Sequence, residues 1–281
     1  MSMRTAWDDN GEEKAITSPL SLVITAFAPV MDVRKTVTPQ LRTDVDDTSL
    51  VCIDLGLGKT RLGASIFAQT YNSMANDAVN VDNADALKGF FNAMQACLED
   101  ELLLAYHDRS DGGLFSTVTE MCFAGRCGAQ IHLDVLAGDN AQALFNEELG
   151  AVVQVTAANL VKIQSVFAAH GLGDHVHAIG QVTVDEVIGF YRDEEVVYTS
   201  TRAALQTLWS KTSFAVQSLR DNSECAQQEF DAIIKPNPGL STQLTFDPVD
   251  NISAPYIAKG ERPRVAILRE QGVNGHVEMA R

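Results

Sequence analysis

The sequence predicts an α/β fold of the mixed, α+β kind, and three observations predict it. Between Leu50 and Leu219, short apolar runs of strand type alternate with stretches whose apolar residues recur three and four apart, the period of an amphipathic helix. With 281 residues, 46% of them hydrophobic, and no repeat or low-complexity tract, the chain is long enough to bury one large core or two medium ones. Finally, the run His107-Asp108-Arg109-Ser110-Asp111-Gly112-Gly113 separates an apparent strand from an apparent helix and gathers acidic, hydroxyl and glycine residues at that junction.

In chain order, residues 1–19 are polar and acidic, and Leu20 to Ala28 predicts a strand ended by Pro29, with a short helical pattern up to Pro39. Leu50 to Leu55 predicts a strand, residues 63–72 a helix, and Asn83 to Leu98 a second helix carrying Leu87, Phe90, Phe91, Met94, Cys97 and Leu98 on one stripe. The apolar run 102–106 predicts a strand, and 114–123 the helix after the glycine loop. Strands follow at 129–133 and 151–155 with a helix over 141–149 between them, then a helix over 157–170. A strand near 176–184 and a hairpin pair at 187–192 and 195–199 lead into a long amphipathic helix over 201–219. From Arg220 to Arg262 the composition shifts to Asn, Asp, Pro and Ser, which predicts a linker. Arg264 to Leu268 predicts a further strand, with a loop and helix start behind it.

The 107–113 run has the layout of a phosphate and metal site. A helix beginning near Asp111 offers free N–H groups and the positive end of its dipole to phosphate oxygens, glycines permit close backbone approach, and Asp108 and Ser110 supply hard oxygens at the end of a strand. The same residues also have a purely structural reading, with Asp111 an N-cap, the glycines a turn and His107 a buried imidazole.

A formal net charge of −16 argues against nucleic acid, whose phosphates demand a basic face. An acidic protein can still hold a nucleotide through Mg²⁺ bridged by carboxylates and through backbone N–H groups. No apolar stretch reaches the ~18–20 residues that span a bilayer, and the first residues lack the apolar core of a signal peptide, so the expected location is cytoplasmic, with no membrane partner. The five cysteines form no zinc spacing; most sit in apolar runs, and Cys122 and Cys127 read as packing residues. Gly56-Leu57-Gly58-Lys59-Thr60 ends like a P-loop, but Ile53 stands where the first glycine belongs, and a glycine turn opening a helix is the better assignment. His175 and His177 share a strand face without a partner nearby in sequence, which predicts surface or core imidazoles.

The segments Thr17 to Ile24, Ala105 to Leu114, Leu144-Phe145-Asn146-Glu147-Glu148-Leu149-Gly150 and Val265 to Asn274 together resemble the C-terminal half of large, single-chain phosphoribosylformylglycinamidine synthases, and the resemblance extends over essentially the whole chain. It implies an aminoimidazole-ribonucleotide-synthetase-like C-terminal subdomain over 46–219, a remnant of the N-terminal subdomain at 1–45, a linker at 220–262 and the truncated start of a class I glutaminase domain at 263–281. It further implies a ligase of purine biosynthesis that uses ATP and glutamine, with missing synthetase subdomains upstream and the glutaminase downstream as its partners. Met1-Ser2-Met3 resembles the end of a family run, which implies that the chain starts inside a larger protein.

Carried over residue by residue, the family's Mg²⁺-binding Asp falls on Asp108 and its ATP-binding Ser on Ser110. The resemblance implies Mg²⁺ and ATP or ADP as cofactors, with the nucleotide held for structure rather than turned over. No catalytic residue carries over, because the glutaminase Cys, His and Glu would lie beyond Arg281. The competing expectation is a stand-alone nucleotide-binding or assembly module without catalysis.

Overall fold

The computed structural model describes residues 4–17, 24–30, 32–75, 77–236, 240, 242–257, 259–260 and 264–281. They fall into two units, 1–235 and 236–281. The first opens with β1 (Arg4–Asp9) and β2 (Glu12–Thr17), followed by β3 (Thr48–Asp54), α1 (Ile66–Thr70), α2 (Ala84–Glu99), β4 (Ala105–Asp108) and α3 (Gly113–Gly125). Next come β5 (Gly128–His132), α4 (Asn140–Phe145), β6 (Gly150–Thr156) and α5 (Ala157–Ala169). The unit ends with β7 (Val176–Thr183), β8 (Val187–Arg192), β9 (Glu195–Thr201), α6 (Arg202–Arg220) and α7 (Ser223–Ala232).

Seven strands form one sheet in the order β4-β6-β3-β7-β5-β8-β9. Every neighbouring pair is antiparallel except β5 with β8. The expectation that ligands gather at strand C-termini, as in open parallel sheets, therefore does not apply: the fold is mixed α/β, and the placement of Asp108 rests on its loop alone. Helices cover both faces. Along β3, Leu50 and Cys52 enter one core with Leu114, Val118, Met121 and Cys122 of α3, while Val51 and Ile53 enter a second with Met94 and Cys97 of α2 and Ile163 and Phe167 of α5. The two-residue period of a strand separates the cores, and burial on both faces explains the unbroken apolar run.

The long helices form where the periodicity predicts them, but the apolar stripe expected on α6 is largely exposed at Leu208, Trp209, Val216 and Leu219. Asn83 caps α2 by accepting from Ala86 N–H; of the predicted stripe, Met94 and Cys97 are buried and Phe90 and Leu98 pack beside them, with Gly89 and Ala93 completing the buried face, while Leu87 and Phe91 lie exposed. On α6 only Arg202 and Leu205 are buried, and Phe214 stacks on Phe230 of α7 at 4.4 Å.

Several expectations are corrected. Residues 4–17, read only as polar, form a hairpin around Asn10-Gly11, both with positive φ, the pair that a two-residue turn between antiparallel strands requires. Of the predicted strand over 20–28, residues 24–28 are not in a strand and 20–23 lie outside the described residues. The helical pattern before Pro39 is a single 3₁₀ turn, Val33–Lys35. The strand expected at 102–106 is shifted to Ala105–Asp108, and the helix expected to reach 149 stops at Phe145. The stretch read as a linker from Arg220 contains α7, capped by Asn222. In the second unit residues 264–268 form no strand; its one described helix is α8 (His276–Ala280), and Leu240, Phe246, Ile252 and Leu268 are exposed.

Candidate functional site

β4 pairs with β6 up to Asp108 opposite Ala151, and Arg109 N–H continues the ladder to Gly150 O at 2.8 Å. Beyond it the chain turns sharply into α3. Gly112 (φ +79°) and Gly113 (φ +63°) both take the left-handed conformation, and a Cβ on Gly113 would lie 2.5 Å from Asn146 O, so glycine is required there. The N-cap of α3 is Gly112 rather than Asp111, and no side chain caps it in the usual manner.

Side chains alternate through the loop. Asp108, Ser110 and Asp111 are exposed and line one cleft of about 500 Å³, while Arg109 between them is buried. The Arg109 guanidinium donates to Asp54 Oδ1, Glu148 O and Leu149 O. Asp54 in turn accepts from Gly56 N–H and Gly58 N–H, so this glycine turn is closed by a carboxylate and its N–H groups are already engaged. The floor of the cleft is apolar, with Leu55, Val79, Leu87, Phe90 and Tyr106. Burial raises the Tyr106 phenol, with Asp108 adding to the effect.

Two adjacent glutamates hold the site together, and sequence reasoning missed both because they fell inside a predicted helix 35 and more residues from the loop. Glu147 Oε1 accepts from Gly112 N–H at 2.8 Å and from Ile66 N–H at 2.9 Å, joining the loop to the start of α1. A carboxylate thus already occupies part of the helix N-terminus expected to receive phosphate. Glu148, 1% exposed at its side chain, receives Arg61 Nε and Nη2 at 2.6 and 2.7 Å. The resulting pairing raises the Arg61 guanidinium above its ordinary value.

His107 turns away from the cleft into a separate pocket with Glu120, Phe123 and Trp209. Its Nε2 lies 2.9 Å from Glu120 Oε2 and its Nδ1 2.8 Å from Asp108 O, while Trp209 Nε1 donates to Glu120 Oε1. Both partners of the ring are acceptors, which favours the imidazolium with both nitrogens protonated. The Glu120 hydrogen bond accordingly raises the His107 pKa, and the same bond lowers that of Glu120. His175 and His177, distant in sequence from any partner, line a smaller cavity of about 190 Å³ with Asp54, Lys59 and Arg109, where burial lowers the His177 pKa. Four of the five cysteines are buried, as their packing role predicts, and Cys225 is exposed.

Magnesium takes hard oxygen ligands and is commonly held by one or two carboxylates, with phosphate and water completing its shell. Asp108 and Asp111, with the Ser110 hydroxyl beside them, fit that donor set. Among the described residues no three His, Cys, Asp or Glu side chains converge as a complete metal cage.

A mixed sheet covered by helices on both faces, with an acidic and hydroxyl-bearing glycine loop facing an open cleft, has the fold of the aminoimidazole-ribonucleotide-synthetase-like C-terminal domain. Residues 55–193, which include the loop, match the family described as AIR synthase related protein, C-terminal domain. Residues 1–29 match the FGAR-AT PurM_N-like domain. Among solved structures, PurL from Thermotoga maritima complexed with ATP superposes with a TM-score of 0.51 at 18% identity, over 62% of this chain and 27% of that one. Phosphoribosylformylglycinamidine synthase II from the same organism gives 0.51 at 17% identity, over 62% and 28%, and PurL complexed with FGAR gives 0.50 at 18%, over 62% and 30%. At these identities the likeness is one of fold, and the stretch shared with these structures spans less than a third of their length. Among the described residues no helix is long and apolar enough to cross a membrane.

Proposed function

We propose that this chain is part of an ATP-dependent ligase of purine biosynthesis that converts formylglycinamide ribonucleotide to the amidine, and that its cleft holds a magnesium-bound adenine nucleotide. Asp108 is the proposed metal ligand, and the Ser110 hydroxyl the proposed donor to a phosphate oxygen. Magnesium, when bound, neutralises phosphate charge; the chain's own contribution is to aim both side chains into the cleft by burying Arg109 between them and fixing the turn with Gly112 and Gly113.

The observation that carries this reading is the shared exposure of Asp108 and Ser110 on one open cleft. The match of residues 1–29 to an FGAR-AT domain supports it, as does the fold shared with a Thermotoga maritima PurL described as complexed with ATP. On the same reading, residues 1–45 are a remnant of an N-terminal subdomain, 46–219 its C-terminal partner, 220–262 the connection and 263–281 the start of a glutaminase that supplies ammonia from glutamine. The nucleotide is held for structure rather than turned over. Mass spectrometry of small molecules released from the purified protein tests it: a near-stoichiometric adenine nucleotide is expected. Absence of any released nucleotide, together with no binding of Mg-ATP by calorimetry, overturns it.

A further inference from the structure

We infer that Glu147 makes this cleft selective for metal-chelated over metal-free polyphosphate, an inference that rests on the cleft being a nucleotide site. The inventory of charge around it is one-sided. Asp108, Asp111 and Glu147 are the acidic side chains among its lining residues, and Arg109 is the single cation. That guanidinium is committed to Asp54 and to two backbone carbonyls, with its side chain 4% exposed. It offers no counter-charge to a ligand in the cleft.

Glu147 differs from the other two acids because it is fixed. Its Oε1 holds Gly112 N–H and Ile66 N–H together, so the carboxylate cannot swing aside without releasing both. A free nucleoside triphosphate entering the cleft therefore meets three carboxylates on its walls and a helix N-terminus whose nearest N–H is engaged, an arrangement in which like charges repel. A divalent cation inverts that balance, because Asp108 and Asp111 attract it, the phosphate oxygens complete its shell, and its charge offsets the repulsion from Glu147. The interaction that clasps the loop is thus also the one that excludes bare phosphate.

The clasp and the charge are separable by substitution. Glu147→Gln keeps an amide oxygen that accepts from both N–H groups and removes the charge, whereas Glu147→Ala removes both. Binding of ATP measured by calorimetry in excess Mg²⁺ and again in EDTA, with thermal midpoints recorded alongside, tests the assignment on the purified chain. The unmodified protein is expected to bind at least about tenfold more tightly with Mg²⁺. Glu147→Gln is expected to narrow that ratio severalfold, chiefly by tightening the EDTA value, at a nearly unchanged midpoint; Glu147→Ala is expected to lower the midpoint. An unchanged ratio in Glu147→Gln overturns the role of Glu147 while leaving the nucleotide site intact. Equal binding with and without Mg²⁺ by the unmodified protein overturns it even where the Gln variant fails to fold. No binding of either form by the unmodified protein overturns both this inference and the nucleotide reading beneath it.

Discussion

Arg109 and Asp54 form a buried ion pair that joins the end of β4 to the end of β3 across β6, with side chains 4% and 10% exposed. Neither lies near the other in sequence, and each is also bound to backbone: Arg109 to the carbonyls of Glu148 and Leu149, Asp54 to the N–H groups of the glycine turn. The pair fixes the loop that presents Asp108 and Ser110.

Removing one partner leaves the other charged and buried. Asp54→Ala is expected to cost about 3–5 kcal/mol of unfolding free energy, the range for breaking a buried pair, read from urea denaturation. Arg109→Lys is expected to recover little of an Arg109→Ala loss, because an ammonium cannot reach carboxylate and carbonyls in the fixed fork of a guanidinium. A loss below about 1 kcal/mol for Asp54→Ala is the magnitude of an exposed pair and contradicts this account.

Asp108 is exposed, so its substitution separates binding from folding. Asp108→Asn is expected to weaken Mg-nucleotide binding by about tenfold or more through loss of a charged ligand, with the thermal midpoint nearly unchanged. Unaltered nucleotide content in the purified variant contradicts its role as a metal ligand.

At Gly113 the constraint is steric. Gly113→Ala places a Cβ against the Asn146 carbonyl on a backbone with φ of +63°, and a loss of roughly 1–3 kcal/mol is expected from the strained conformation before the clash is counted. A variant that unfolds at the same urea concentration as the parent rules this out.

The His107–Glu120 contact predicts a pH window. The pKa of His107 is raised in the folded state, so its contribution is fully present below the unfolded value, about 6.5, and is lost as pH rises through the higher folded value. That of Glu120 is lowered, so the contact also fades as pH falls through the folded value of that group. The two shifts describe one interaction. The midpoint difference between the parent and His107→Gln is therefore expected to be larger near pH 6 than near pH 9; a difference that grows toward alkaline pH has the wrong sign.

Local periodicity made most of the sheet and the long helices legible, because β3 and β6 are buried on both faces and α5 and α6 keep a helical repeat. What it did not reveal was pairing. Nothing in the run Val187 to Arg192 says that it lies parallel to β5 while its other neighbour, β9, is antiparallel, since direction is settled by connections rather than by composition. The hairpin at Asn10-Gly11 was legible in principle, as the turn pair stands plainly in the sequence, but its strands carry too few apolar residues to look like strands. In the cleft, Asp108 and Ser110 were singled out through their loop, and both line it. Glu147 and Glu148 were not, because their meaning comes from Gly112, Ile66 and Arg61, which only the folded chain brings to them.

The strand order also governs how this domain is made. Central β3 precedes both of its partners in the chain: it is flanked by β6 and β7, which place Thr48 opposite Thr156 and Cys52 opposite His177. Only β8 and β9 pair with an immediate successor within the large sheet. As the chain is made, this apolar strand therefore waits for roughly a hundred residues before its first partner follows, a long-range pairing of the kind that slows folding and leaves an unpaired edge open to aggregation.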